Sequence, residues 1–376
     1  MKKICFLVCS PFSEIDYIQF GISQIEKLGF QILILDCTPF LESKFYSEIG
    51  GDSITIKNEL VLKCFSKKDI FLHLNKFNPE WCIDHLQGFS KKCYMDRVHI
   101  RLFLKFNFKI IEYKLKSIPF YKGLIHRNFF SHARNFVKLF AIKILSLPWK
   151  IADADMVIVG GRIEYKKLSN HRRIIKAHNF DFDNFIISSQ KKRIIESKKK
   201  LLFLDEDFPC HSDYIRDGLS PSINVEKYFE EISNCLLFLS NRFRLQPLIK
   251  LHPKANFKRS SKLYSIPVSL KDTAYLVSNA DLVVAHCSTS IQLAVLFKKP
   301  LVLIIPNKLE RNSVWRKSID NFSCLLGVPA IKSSEINALK KIPSVNIESY
   351  NDYREKYIKM KGSPDKFSWE IITDNL

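Results

Sequence analysis

Two histidines in the C-terminal half each end an apolar run, and three hydroxyl residues follow the second of them. Residues 247–255 read PLIKLHPKA and residues 281–300 read DLVVAHCSTSIQLAVLFKKP. The first run is expected to be a strand closed at His252-Pro253, because proline has no N–H to give to a sheet ladder. The second is expected to stop at His286, after which Ser288, Thr289 and Ser290 open a helix with Ile291, Ala294 and Val295 on its apolar face. Open parallel sheets take ligands beyond the carboxyl ends of their strands. Hydroxyls, unpaired backbone N–H groups and a positive dipole end, all found at a helix start, are what an anion needs. Lys250, His252, Pro253, His286, Ser288, Thr289 and Ser290 together read as a nucleotide-phosphate site. The ligand-free alternative is a histidine that only ends a strand and hydroxyls that only cap a helix.

The elements that would position these groups follow from apolar patterning. A compact run at 3–9 is a strand. Residues 16–28 carry Ile18, Ile22, Ile25 and Leu28 at helical spacing, closed by Gly29, and 31–35 is a second strand. This β-α-β opening implies a parallel sheet. Residues 70–74 read as a strand, 96–150 as helical with breaks at Pro119 and Pro148, and 155–159 as a buried strand. Segment 178–183, HNFDFD, lies where the first domain meets a hinge, and 181–188 carries the chain out of it. A second β/α series follows: strands at 201–204, 248–251, 282–285 and 301–305, helices at 225–242, 271–278 and 289–297, then helices at 350–361 and 366–373. The fold class is therefore α/β, with two doubly wound domains facing a cleft. Domain one spans 1–188, domain two 189–345, and a helical tail 346–376.

The bulk numbers narrow the possibilities. A chain of 376 residues with 46% hydrophobic content can bury a sizeable core. Ten cysteines show no CxxC pair and no zinc-type spacing, which suits unpaired thiols in a reducing cytosol. The opening MKKICFLVCSPF imitates a signal peptide, but Glu14 and Asp16 follow at once and no small-residue cleavage site appears, so a first strand is the better reading. No apolar run is long enough to cross a bilayer. Neither GxGxxG nor GxxxxGK[ST] occurs, so nucleotide binding must use helix ends and side chains. The formal net charge is +21, and residues 101–150 hold eleven Lys and Arg against Glu112 alone, interleaved with phenylalanines. Such a segment suits an anionic membrane surface, where each basic side chain contributes about 1 kcal/mol. A solvated helix pair with a buried aromatic face fits it too. Nucleic acid fits least, because no recognition motif accompanies the charge.

The HP dipeptide ending one strand, followed some 35 residues later by a strand and an STS cluster, resembles the GT-B-type bacterial glycosyltransferases that use CMP-activated sugars. These include polysialyltransferases and β-Kdo transferases of capsule and lipopolysaccharide assembly. The resemblance implies two Rossmann-like domains, a phosphate held by His252 and the Ser/Thr cluster, and a catalytic carboxylate from an acidic motif upstream. Asp205, Glu206 and Asp207 occupy that place, although they run into Phe208-Pro209 where the family often has glycine. A similar layout occurs in CDP-glycerol phosphotransferases of teichoic acid synthesis, so cytidine is implied better than the sugar. The implied donor is a CMP-sugar, with no separate cofactor and no metal. The implied acceptor is a lipid-linked or surface glycan met on the cytoplasmic face of the plasma membrane. Ser10, Ser13, Glu14 and Asp16, just past the first strand, would face the acceptor, and helix capping explains them equally well.

Three consecutive carboxylates send alternate side chains to opposite sides of an extended chain, so at least one is expected to face the cleft as base or nucleophile. The triplet also fits the Asp-x-Asp manganese clamp of GT-A transferases, which leaves HP and STS unexplained. Rivals are a CDP-glycerol-type phosphotransferase, a nucleotide-sugar epimerase, and a non-catalytic basic protein that binds lipid or RNA.

Overall fold

The computed structural model describes residues 2–86, 93–115, 119, 153–168, 173–191, 198–211, 223–252, 255, 257–311 and 313–376. Among them lie two parallel sheets. The first contains β1 (Lys3–Val8), β2 (Gln31–Asp36), β3 (Val61–Lys63), β4 (Trp81–His85), β5 (Lys109–Lys114), β6 (Met156–Val159) and β7 (Ile174–Lys176), in the order β3-β2-β1-β4-β5-β6-β7. The second contains β8 (Lys200–Leu204), β9 (Gln246–Lys250), β10 (Val268–Ser269), β11 (Leu282–Ala285), β12 (Leu301–Ile305) and β13 (Ala330–Lys332), in the order β10-β9-β8-β11-β12-β13. The central strands are buried on both faces, as helix-covered parallel strands must be: every residue of β6, β11 and β12 is buried. In each sheet the order reverses beside its first strand, between β1 and β4 and between β8 and β11. These are two Rossmann-like domains of the GT-B type.

The strand expected at 70–74 is instead the helix Lys67–Phe77. Ile70 and Leu74 are its buried residues, one turn apart, and Ser66 and Asp69 form a reciprocal cap at its start. The strands flanking it are β3 and β4; β4 is buried from Trp81 to Asp84, and the acidic Asp84 interrupts its apolar run. The helix expected over 16–28 is two helices, Glu14–Gln19 and Ile22–Lys27, broken at Gly21. Gly21 has φ +64°, and a Cβ there would lie 2.5 Å from the Trp369 ring. A contact from the far end of the chain thus breaks the helix. The piece expected to carry the chain out of the first domain is the helix Phe180–Gln190, which packs against the second domain's helices Thr273–Ser278 and Ile291–Leu296.

The C-terminal segment joins both cores. Tyr350, Tyr353 and Ile358 enter the second domain's core, while Ile371 and Ile372 of the helix Ser368–Thr373 enter the first. At Gly161, past β6, a Cβ would meet the Lys356 carbonyl at 2.1 Å, so only glycine admits the returning chain. The HNFDFD segment receives it: Asn179 N–H donates to Ile358 O at 3.0 Å, and Ser368 N–H donates to Asp183 Oδ1 at 2.9 Å.

The basic segment is helical only at first, as Tyr94–Asn107, and then becomes β5. Its residues 116–118 and 120–150 lie outside the described residues. The four basic side chains of 101–115 all meet carboxylates: Arg101 with Asp84 and Glu112, Lys105 with Asp155, Lys109 with Glu80, and Lys114 with Glu112. Arg101 is 1% exposed and so belongs to the core rather than to a surface. None of the ten cysteines is disulfide-bonded.

Candidate active site

Register places the chemistry at the point where the second sheet's strand order reverses. Leu204, the last residue of β8, pairs with Lys250 of β9 on one side and Ala285 of β11 on the other. Asp205, Glu206 and Asp207 therefore leave the sheet's carboxyl edge between His252 and the Ser288–Ser290 turn. Crevices of this kind are where open α/β sheets take ligands.

The triplet is almost wholly buried, with Asp205 3% exposed and Glu206 and Asp207 4% each. Burial pushes the Asp205 carboxyl up to about 7, and the neighbouring Asp207 charge adds to the rise. Asp205 Oδ1 accepts the Asp207 N–H at 3.0 Å, closing a tight turn. Asp207 takes the left-handed conformation, φ 51°, which aspartate tolerates better than most residues. Burial raises its carboxyl too, opposed by the Arg259 guanidinium, whose Nη2 lies 2.7 and 2.6 Å from the two carboxyl oxygens. Glu206 turns the other way, toward β11, where Oε1 accepts the Cys287 N–H at 2.6 Å. Burial brings it up to about 8. A turn with Asp207 left-handed replaces the alternation of an extended chain; Glu206 and Asp207 still take partners on opposite sides, and with each residue at most 4% exposed none faces an open cleft. Among the described residues no group of three or more His, Cys, Asp or Glu side chains is arranged to hold a metal ion.

A carboxyl raised in the folded protein contributes stability below its unfolded pKa, and that contribution disappears as pH rises through the folded value. For Glu206 the window runs from 4.5 to about 8. The melting temperature is therefore expected to fall between pH 5 and 8, and Glu206→Gln is expected to flatten that fall, as measured by thermal melts across the range. An unchanged slope in the variant would show that Glu206 does not hold the extra proton.

His286 is fully buried and its ring is committed to protein partners. Nδ1 lies 2.6 Å from Ile304 O, which can only accept, so that nitrogen carries the proton and Nε2 accepts from the Tyr228 hydroxyl at 2.9 Å. Burial brings its pKa down to about 4. The ligand contact expected of His286 is thus not available, and its role is to tie β11 to β12 and to the helix Val225–Phe243. The helix expected from Thr289 begins at Ile291 and has six residues. Ser290 is its cap position without a side-chain bond, and Ser288 Oγ accepts the Ser290 N–H at 3.2 Å. Ser288 and Ser290 are half-buried and Thr289 is exposed. Lys250 is buried at the end of β9, and its ammonium is lowered by that burial. Pro253 lies outside the described residues.

His252 is half-buried beyond β9. Two strand spacings, about 9.5 Å, separate β9 from β11, with the acidic triplet between. Around His252 stand groups that no motif announced. His211 has its ring 5.2 Å from that of His252 and 5.6 Å from Trp315, which in turn lies 5.0 Å from Phe208. Arg259, in the helix Phe257–Leu263, pairs with Asp207, on whose charge His211 also acts. His211 and Arg259 sit in irregular or lysine-rich sequence, where pattern alone does not distinguish them. Their one signal is proximity in the chain to the DED and HP elements.

Other proteins share this architecture. The wall teichoic acid polymerase TagF, solved with CDPG, is similar over 100% of this chain and 87% of its own, at 12% identity and a TM-score of 0.52. The Methanocaldococcus jannaschii UDP-GlcNAc 2-epimerase matches over 100% and 99%, at 14% identity and a TM-score of 0.50. The MnaA–UDP structure of S. aureus matches over 100% and 96%, at 12% and 0.50. The fold is GT-B. No family model and no curated protein matches the sequence. At these identities the likeness carries the architecture alone, so the chemistry must be argued from this chain's own residues.

On the first domain, Ser13 and Asp16 cap the helix Glu14–Gln19 reciprocally, Ser13 Oγ donating to Asp16 Oδ2 at 2.6 Å. Capping accounts for both; Glu14 is exposed and Ser10 half-buried just past β1. A residue not singled out by pattern is His85, the end of β4, paired with Val8 where the first sheet's order reverses. Its ring packs on Phe20 at 5.2 Å and Tyr113 at 5.9 Å.

Proposed function

We propose that the protein is a nucleotide-sugar-dependent glycosyltransferase whose donor is a CMP-activated sugar, Kdo or another nonulosonic acid. The supporting observation is the row of groups along the β9-β8-β11 edge. Two carboxyls with proton affinities brought close to neutrality lie between an imidazole and a hydroxyl-bearing turn, at the reversal point of a Rossmann-like sheet. Departure of CMP leaves an oxocarbenium-like centre and a phosphate dianion, so catalysis needs donors for the phosphate and a carboxylate beside the anomeric carbon. His252 and the Ser288–Ser290 turn serve the donor nucleotide. Asp205 and Asp207 supply the carboxylate that takes the acceptor's proton, and a group titrating near 7 suits that task. An imidazole donor, His252, would stabilise the leaving phosphate without a metal. The first domain would present a lipid-linked or surface glycan.

Parallel incubations test this reading. Release of CMP from a CMP-sugar in the presence of acceptor, with no turnover of CDP-glycerol and none of UDP-GlcNAc without acceptor, is the expected result. Turnover of CDP-glycerol instead would make the protein a phosphotransferase.

We further propose that it works on the cytoplasmic face of an anionic membrane. Met95, His99 and Phe106 are exposed along one stripe of the helix Tyr94–Asn107, Phe106 to 83%. The helix Lys67–Phe77 packs beside it through stacked Phe71 and Phe103, 4.1 Å apart, and exposes Leu72 and Lys68. Apolar tips with basic neighbours suit an interface. Among the described residues no helix is long and apolar enough to cross a membrane. Co-sedimentation with phosphatidylserine vesicles is expected at low salt and should weaken in Phe106→Ser; no wild-type binding would refute it.

A further inference from the structure

We propose that His211 and Arg259 join His252 in holding the donor's phosphoryl group, so that the phosphate lies on the β8–β9 side of the edge rather than in the Ser288–Ser290 turn. The inference rests on the nucleotide-donor reading and says where in that site the charge sits.

Two sides of the acidic triplet compete for the anion, and they differ. On the β11 side, the backbone N–H groups that would make a phosphate cradle are already engaged. Cys287 N–H donates to Glu206 and Ser290 N–H to Ser288 Oγ. The group closest to that turn is itself an acid, Glu206. The helix behind it has only six residues, too short to build much of a dipole. His286, the imidazole on that side, has both nitrogens bonded within the core.

On the β9 side the side chains are basic, with Arg259 already paired to Asp207. Two imidazoles lie 5.2 Å apart between ring centres, one from the turn after β8 and one from the end of β9. Arg259 reaches Asp207 from the helix after β9 and holds it through Nη2. Its side chain is one-third exposed, whereas Asp207 is buried. Both Arg259 and His211 act electrostatically on the Asp207 carboxyl and favour its charged form. Groups that stabilise one buried anion are already disposed to stabilise another beside it. A phosphate dianion offers Arg259 and the imidazoles more charge and more acceptor oxygens than one carboxylate does. The Trp315 ring lies against His211 at 5.6 Å. A phosphoryl group at this point would also lie beside Asp205 and Asp207, where the reacting carbon must come.

The test is a melting-temperature titration with CMP and, in parallel, cytidine, which lacks the phosphate. His211→Ala and Arg259→Ala are each expected to raise the CMP concentration at half-maximal shift by about tenfold or more and to leave any cytidine response unchanged. The Ser288→Ala/Thr289→Ala/Ser290→Ala triple variant should keep the CMP midpoint within about threefold. His211→Gln and Arg259→Lys, which retain hydrogen-bond donors, guard against loss of folding and should recover part of the affinity. Wild-type CMP midpoints in all four single variants, with loss of the response in the triple variant, would overturn this placement while the nucleotide reading stands. No response of the wild-type protein to any nucleotide would overturn both.

Discussion

Asp205→Ala is expected to lower sugar transfer by a factor of about a thousand while leaving CMP binding in place. Proton transfer by a positioned group contributes about 10²–10⁴ to rate, and Asp205 combines position with a proton affinity near 7. Its Oδ1 also holds the turn that sets Asp207 beside Arg259. Asp207→Ala is expected to behave similarly, with a CMP midpoint no worse than wild type because Arg259 is then released toward the phosphate. Initial rates with saturating donor, read beside a CMP melting titration, separate the two effects. If both variants transfer within a few-fold of wild type, the carboxylate assignment fails.

The largest effect on stability is expected far from this edge, at Arg101. Its guanidinium bridges Asp84 on β4 and Glu112 on β5, with Asp84 1% exposed. Removing one partner of a buried ion pair leaves an uncompensated charge and costs about 3–5 kcal/mol. Arg101→Leu should therefore lower the melting temperature by on the order of 10 °C. Adding Asp84→Asn and Glu112→Gln should restore most of the loss, since the same site then holds no orphaned charge. Urea unfolding of the single and triple variants measures both. A single variant as stable as wild type would mean that the carboxyls simply take up protons or water when the arginine is gone.

Arg101 also shows what the sequence could not reveal. It opens a segment with eleven basic residues and one acid, and along the chain it looks like part of a basic surface. Its partner Asp84 lies seventeen positions earlier, on β4, and composition within a window cannot register that pairing. Strands buried on both faces are legible because their apolar runs are unbroken: β11 and β12 begin and end where patterning placed them. Asp84 hides β4, and the helix Lys67–Phe77 reads as a strand because its apolar positions cluster over one short run.

The site divides in the same way. His252, DED and STS each stand beyond a strand's carboxyl end, as local signals imply. Their lateral order is a property of the sheet, and only the sheet puts the acidic triplet between imidazole and hydroxyls. His286 reads as a ligand candidate because it ends a strand; Tyr228 and the Ile304 carbonyl, both distant in sequence, make it a core residue. His211 reaches His252, and Arg259 reaches Asp207, by folding alone.

The account stands on a nucleotide phosphate bound beside His252. Melting curves of wild-type protein and of His252→Ala, with CMP, CDP, UDP and GDP, address it most directly. CMP should raise the wild-type melting temperature more than UDP or GDP does, and His252→Ala should abolish that rise without lowering the melting temperature of the ligand-free protein appreciably. An undiminished CMP response in His252→Ala would contradict the account.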